Sequence, residues 1–388
     1  MDASYQEFFQ THADLLRDVQ ERRHQVVGIW SFDAAGASTG VMKWPKPPSD
    51  LMTTALTVCV GTVGALLGWA VGAPIYLLVG PAVLVSLAGL AGLKMGISLS
   101  LRNACFVVIG LAVGAGFDRS ALDAMIRWPL AFVVVLVMIW VMMVFSRWLL
   151  SRFFGFDRRS ALLAAAPGHL SFVLAMAAEA GDNVVRVSTT QSVRLLSLTL
   201  VVPFVALSMG VDLGGSIVPQ GALMGAGLTV VLLALGVGAG LLLGRLNVPA
   251  PMLIGPMLVS SLGHLTETAP GVLPMWLVLP AYLVLGALIG TRFSGVSMDD
   301  LSKGLAAGLA VTGVAVGLAL LAAVPVTLAL GAPLAHVLVA FAPGGFETMI
   351  AMGAVLGVVP GFVAACHMMR IFVLSVLLPV MLARSGPR

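Results

Sequence analysis

From residue 51 onward the chain is a succession of long apolar stretches with short polar interruptions, whereas residues 1–50 are polar and charged throughout. Apolar runs lie near 52–71, 74–93, 103–117, 129–150 and 187–209, and again near 221–244, 250–266, 274–291, 305–330 and 361–383. A helix crosses about 30 Å of hydrocarbon with about 20 apolar residues, so these runs predict ten membrane spans, 103–117 being short. Two further apolar stretches, 160–180 and 334–357, are broken in the middle by Pro-Gly. Proline removes a backbone donor and disfavours helix in the residue before it, and glycine permits a sharp turn. Each broken stretch therefore predicts a short arm, a turn at Pro167-Gly168 or Pro343-Gly344, and a second short arm.

The second half repeats the first. At an offset of 176, Gly110, Gly114 and Phe117 meet Gly286, Gly290 and Phe293, and Ala166-Pro167-Gly168 meets Ala342-Pro343-Gly344. Arg194 falls on Arg370 and Pro203 on Pro379; at an offset of 175, Gly80-Pro81 falls on Gly255-Pro256. Matches at Gly, Pro and Arg in one register identify a duplication. The organisation predicted is a polar N-terminal segment (1–50), a first membrane repeat (51–210) and a second (219–385).

Positive charge indicates how the halves are oriented. Six full spans per half would place Arg119, Arg127, Arg186, Arg245, Arg292 and Lys303 outside. Five spans plus a re-entrant hairpin leave only Arg119 and Arg127 there. The positive-inside rule favours the second arrangement. Irregular backbone at membrane depth is tolerated where protein or a water-filled cavity satisfies it. The expectation is an all-α polytopic membrane protein of two inverted repeats, each of about five transmembrane helices and one Pro-Gly re-entrant helical hairpin, with both termini cytoplasmic.

Charge is rare in the apolar region and costs at least about 2.5–3.5 kcal/mol there. Arg194 and Arg370, one in each repeat's final helix, are the clearest cases, with Glu347 just after the second turn. Two readings remain open for the arginines: caps on hairpin carbonyls, or the frame of a substrate site at the repeat interface. The N-termini of the second arms, at His169 and Ser171 and at Gly345 and Glu347, would turn free N–H groups toward a cavity, as discontinuous helices do in transporters. Two arginines against one acid favour a carboxylate, sulfonate or phosphate over an amine. Glu347 reads equally as a coupling-ion carrier or as the counter-ion of Arg370. Gln191 and His367 stand three residues before the two arginines, on the same helix faces. Gly80, Pro81, Gly255 and Pro256 are candidate hinges, alongside Pro167 and Pro343. Gly-x3-Gly spacings at Gly64, Gly110, Gly236 and Gly286 allow close helix approach, and Trp44, Trp128, Trp148 and Trp276 sit where interface anchors sit.

Composition narrows the function classes. Residues 1–50 hold 12 charged residues, and the other 338 hold 26, far below the quarter typical of soluble chains. That excludes a soluble enzyme and a disulfide scaffold. The net charge of +4 has no basic cluster with interleaved aromatics, so no nucleic-acid partner is expected. The six histidines lack ligand spacing, so no metal role is expected, and the three cysteines, in apolar runs, read as small packing residues. The polar start predicts no secretory signal peptide; Met42, followed by Lys43 and Lys46, is an alternative start of translation.

The stretches APGHLSFVLAMAAEAGDNVVRVSTTQSVRLL (166–196) and APGGFETMIAMGAVLGVVPGFVAACHMMRIF (342–372) resemble the AbrB family of bacterial inner-membrane proteins, also known as the AbrB duplication family. The resemblance spans roughly 55–385 and implies a polytopic membrane protein of two related halves. It also implies a label as regulator of gene expression or ammonia monooxygenase, the second of which the scattered histidines do not support. The chain departs from the family's Pro-Gly-Gly and following acidic run: His169 replaces the second glycine, Phe172 the acid, and Glu347 comes one place early. The expected function is secondary transport of a small organic anion, coupled to a proton or sodium gradient, without catalytic residue or cofactor. The alternative is a membrane-embedded sensor or regulator of gene expression. Expected partners are the bilayer and the anionic solute, with homo-oligomerisation left open.

Overall fold

A computed structural model describes residues 51–117, 128–168, 170–179, 183–210, 221–246 and 248–383. These form fourteen α-helices, seven before residue 210 and seven after it. The first set is α1 (Leu51–Ala70), α2 (Tyr76–Leu90), α3 (Leu99–Gly114), α4 (Trp128–Phe153), α5 (Arg158–Ala165), α6 (Leu170–Glu179) and α7 (Val184–Ser208). The second is α8 (Ala226–Arg245), α9 (Pro251–Leu265), α10 (Met275–Gly290), α11 (Met298–Leu330), α12 (Leu334–Phe341), α13 (Phe346–Val355) and α14 (Pro360–Ala383). Among the described residues there is no strand, only an isolated bridge between Leu223 and Val272.

Among them, seven helices are long and apolar enough to cross a membrane: Leu51–Ala70, Pro129–Phe153, Val184–Ser208, Ala226–Arg245, Met275–Phe293, Met298–Leu330 and Pro360–Leu382. The protein is a multi-pass helical membrane protein. The remaining expected spans are the shorter apolar helices α2, α3 and α9. Their outer surfaces are largely covered by protein: α3 is buried continuously from Cys105 to Gly114. Trp148 and Trp276, 52% and 74% exposed, stand near the ends of α4 and α10, where an amphipathic ring sits well at a membrane interface.

Equivalent helices make equivalent contacts. Helix α1 packs on α2 as α8 packs on α9, and between the halves α3 lies on α9 as α10 lies on α2. Helix α7 packs on α11, and α14 on α4. Glycine allows the backbones to touch. A Cβ at Gly80 would overlap the carbonyl of Gly64, and one at Gly255 would overlap the backbone of Gly240. Across the halves, a Cβ at Gly110 would overlap the Leu253 carbonyl, and one at Gly286 the Leu78 carbonyl. The contact of Gly110 with Leu253 is thus matched by that of Gly286 with Leu78. The expected bends at Gly80-Pro81 and Gly255-Pro256 do not interrupt α2 or α9, which run continuously through Pro81 and Pro256. The irregularity lies just before each helix, where Ile75 and Ala250 take the left-handed conformation, with φ of 48° and 46°.

The two broken stretches are pairs of short helices, α5 with α6 and α12 with α13, of 8 and 10 residues in each pair. At 1.5 Å per residue such arms reach only about 12–15 Å. Both ends of the first pair lie together: Arg186, in the first turn of α7, donates from Nη1 to the carbonyl of Gly155 (3.0 Å) and from Nη2 to that of Phe154, and stacks 3.8 Å from the Phe156 ring centroid. Both ends of the second pair, Pro333 to His336 and Leu356, line one cavity of about 540 Å³ with Met209 and Gly210, which follow the C-terminus of α7. The hairpin mouths therefore stand at opposite ends of α7, whose 25 residues span about 37 Å.

Candidate binding site at the hairpin tips

Arg194 and Arg370 stand about ten residues into α7 and α14, near the middle of each helix, and are 0% and 3% exposed. Each is turned onto the hairpin of its own half. Arg194 donates from Nη1 to the carbonyl of Ala166 at 3.0 Å, and from Nη2 to Gln191 Oε1 at 2.6 Å. Gln191 completes the clasp, donating from Nε2 to the carbonyls of Leu163 (2.9 Å) and Ala166 (3.0 Å). Helix ends leave their last carbonyls without intrahelical partners, and here a guanidinium and an amide supply them at the end of α5. Arg370 does likewise at the end of α12, donating from Nη2 to the Gly344 carbonyl at 3.0 Å and from Nη1 to that of Ala342 at 3.4 Å.

The carbonyl-capping reading of the arginines is thus what their hydrogen bonds show. It does not exhaust them. The Nε atoms of both arginines are buried without a partner, and neither guanidinium is ion-paired among the described residues. Arg194 and Arg370 stand near enough for their like charges to repel. The halves also meet at this point: Gly168 has φ of 102°, and a Cβ there would lie 3.3 Å and 3.4 Å from Nε and Nη2 of Arg370. Only glycine suits both that φ and that proximity. Gly344, expected to serve the same turn role, does not take a positive φ; a Cβ there would instead collide with the Met349 side chain. No side chain caps the first-turn N–H groups of α13, whose N-cap is Gly345.

The halves differ three residues before each arginine. Gln191 makes three hydrogen bonds, whereas His367, fully buried, uses Nδ1 on the Val363 carbonyl at 3.0 Å and packs its ring 6.4 Å from that of Phe346. Nε2 of His367 makes no well-aligned hydrogen bond, although the Ala342 carbonyl acts on the ring. The expected pairing of Glu347 with Arg370 is not formed. Glu347 is half-buried at the start of α13, and its charge acts on Arg292, as does that of Arg102. These two arginines were not singled out by the sequence, because each lies at a helix end where a charge is unremarkable; only the fold brings Arg292 near both Glu347 and Arg102. His169 lies outside the described residues, and Ser171 is placed in the first turn of α6 by its backbone alone.

A sequence profile described as "Transition state regulatory protein AbrB" matches residues 77–385. The chain belongs to the AbrB family. Two relatives frame the family. The "Uncharacterized protein YhjN" of Bacillus subtilis (strain 168) is 25% identical over 289 residues, covering 70% of this chain and 75% of that protein. The "Putative regulator AbrB" of Escherichia coli (strain K12) is 32% identical over 181 residues, covering 45% of this chain and 50% of that protein. The match to the AbrB profile contains both hairpins and both arginines.

Proposed function

We propose that this AbrB-family protein is a secondary transporter of a small organic anion in the bacterial inner membrane, with inverted halves and cytoplasmic termini. The observation that carries the reading is the pair of buried guanidinium groups at the tips of two hairpins that open at opposite ends of α7. Two positive charges with unpartnered Nε donors and no ion pair among the described residues suit a carboxylate, sulfonate or phosphate group. The uncapped start of α13 adds N–H donors of the same sign. Hairpins opening at opposite ends of one membrane-long helix give such a site a route to either face. Coupling to a proton or sodium gradient falls to Glu347, the half-buried acid at the start of α13. No catalytic residue or cofactor enters this reading, which makes the protein a carrier rather than an enzyme.

The test is uptake and current in proteoliposomes offered a panel of small carboxylates, sulfonates and phosphates. Wild type is expected to move a panel member, and Arg370→Ala and Arg194→Ala to lose uptake while eluting as folded protein. Arg370→Lys, which keeps the charge and one donor to the hairpin, is expected to retain part of it. Unchanged uptake in both alanine variants would overturn the site. The Escherichia coli relative, named as a regulator, motivates the second reading, a sensor that binds the same anion without moving it. Deleting residues 1–41 separates the two, since a transporter keeps its flux and a sensor loses its output.

A further inference from the structure

Away from the arginine pair, the C-terminal end of α4 and the start of α5 form a second cationic site. A cavity of about 470 Å³ is lined by Val144, Arg147, Trp148, Ser151, Arg152 and Arg158. Three of its six lining residues are arginines and none is acidic. None of the three makes a hydrogen bond or ion pair among the described residues; Arg152 instead lies 5.6 Å from the Phe153 ring centroid. Ser151 Oγ is buried without a partner. On the neighbouring surface Phe145, Trp148 and Phe153 are exposed and pack in a row, tilted and then edge-to-face, with centroids 5.4 Å and 5.6 Å apart. Val144 is exposed on the same side.

We infer that this cavity binds the phosphate headgroup of an anionic phospholipid. Guanidinium groups match phosphate oxygens with paired N–H donors, and an unpaired hydroxyl beside them adds a further donor. A soluble phosphate would need only the arginines. The aromatic row and Val144 instead border the cations with apolar surface at the end of a 26-residue helix, where acyl chains lie against the protein and the rings sit at headgroup level. Basic pockets between helices at this level suit headgroups of this kind. The arginines here are separate from Arg194 and Arg370, so the inference stands independently of transport.

The experiment uses the full chain in lipid nanodiscs and reads Trp148 quenching by brominated phosphatidylglycerol against brominated phosphatidylcholine. Wild type is expected to prefer the anionic lipid by about fivefold or more. The preference should vanish in Arg147→Gln/Arg152→Gln/Arg158→Gln and weaken in Arg152→Gln alone, which guards against misfolding of the triple variant. Trp148→Phe identifies the reporter by removing the excess quenching. Equal quenching by the two lipids in wild type, or a preference intact in the triple variant, overturns the proposal. A preference abolished by millimolar inorganic phosphate also overturns it, by making free phosphate the ligand.

Discussion

Replacing Gln191 with leucine removes the clasp on the first hairpin while keeping volume near constant. The side chain is 1% exposed and makes three bonds, two to the carbonyls at the end of α5 and one accepted from Arg194. At about 1 kcal/mol for each amide–carbonyl bond and about 1.5–3 kcal/mol for the bond to the charged donor, the loss is about 3.5–5 kcal/mol. Helix-to-helix hydrogen bonds inside membranes average nearer about 0.6 kcal/mol, which sets a lower figure of about 2 kcal/mol. Either value raises the population of a released first hairpin by about thirtyfold or more. Hydrogen exchange on the nanodisc-embedded protein reads this directly, with peptides covering 158–166 as the probe and 334–342 as the internal control. The expected outcome is exchange accelerated at least about tenfold in the first set and unchanged in the second. Equal acceleration in both hairpins, or none in either, would refute the assignment of Gln191 as a local clasp.

The duplicated glycine contacts make paired predictions. Gly80→Ala and Gly255→Ala each place a methyl group onto the backbone of the adjoining helix, and each should cost about 1–3 kcal/mol, seen as similar falls in the detergent unfolding midpoint. A large effect at one position alone would contradict the shared geometry. Gly238→Ala meets nothing within 4 Å inside α8 and should hold or raise the midpoint, by at most about 0.5–1 kcal/mol.

Much of the fold was legible because membrane solvation constrains the chain so strongly. Apolar run length located the helices, and the 176-residue offset located equivalent glycines that prove to sit at equivalent crossings. The Pro-Gly breaks at 167–168 and 343–344 located both hairpins, whereas Pro81 and Pro256 stand inside continuous helices. Other features depend on three-dimensional placement that spacing does not carry. Gly80-Pro81 looks like a hinge in sequence, but its glycine serves a helix crossing and the left-handed residue is Ile75. Glu347 and Arg370 lie within one sequence half and look like a pair, whereas the fold turns Arg370 onto the carbonyls of Ala342 and Gly344 and brings Glu347 near Arg292. Gln191 was visible as a companion of Arg194, but not as the donor to two carbonyls almost thirty residues earlier. The arginines of the lipid cavity read in sequence only as positive charge at a span end.

The central claim is that the two hairpins open toward opposite faces of the membrane, so that one arginine pair can be reached from both. Cysteine accessibility tests it most directly. In a background where Cys59, Cys105 and Cys366 are replaced, Arg158→Cys reports the first mouth and Pro333→Cys the second, both positions being exposed. A membrane-impermeant maleimide applied to right-side-out and inside-out vesicles is expected to label Pro333→Cys from the periplasmic face only and Arg158→Cys from the cytoplasmic face only. Labelling of both from the same face would contradict the account, leaving the halves parallel and the arginine pair without opposed access.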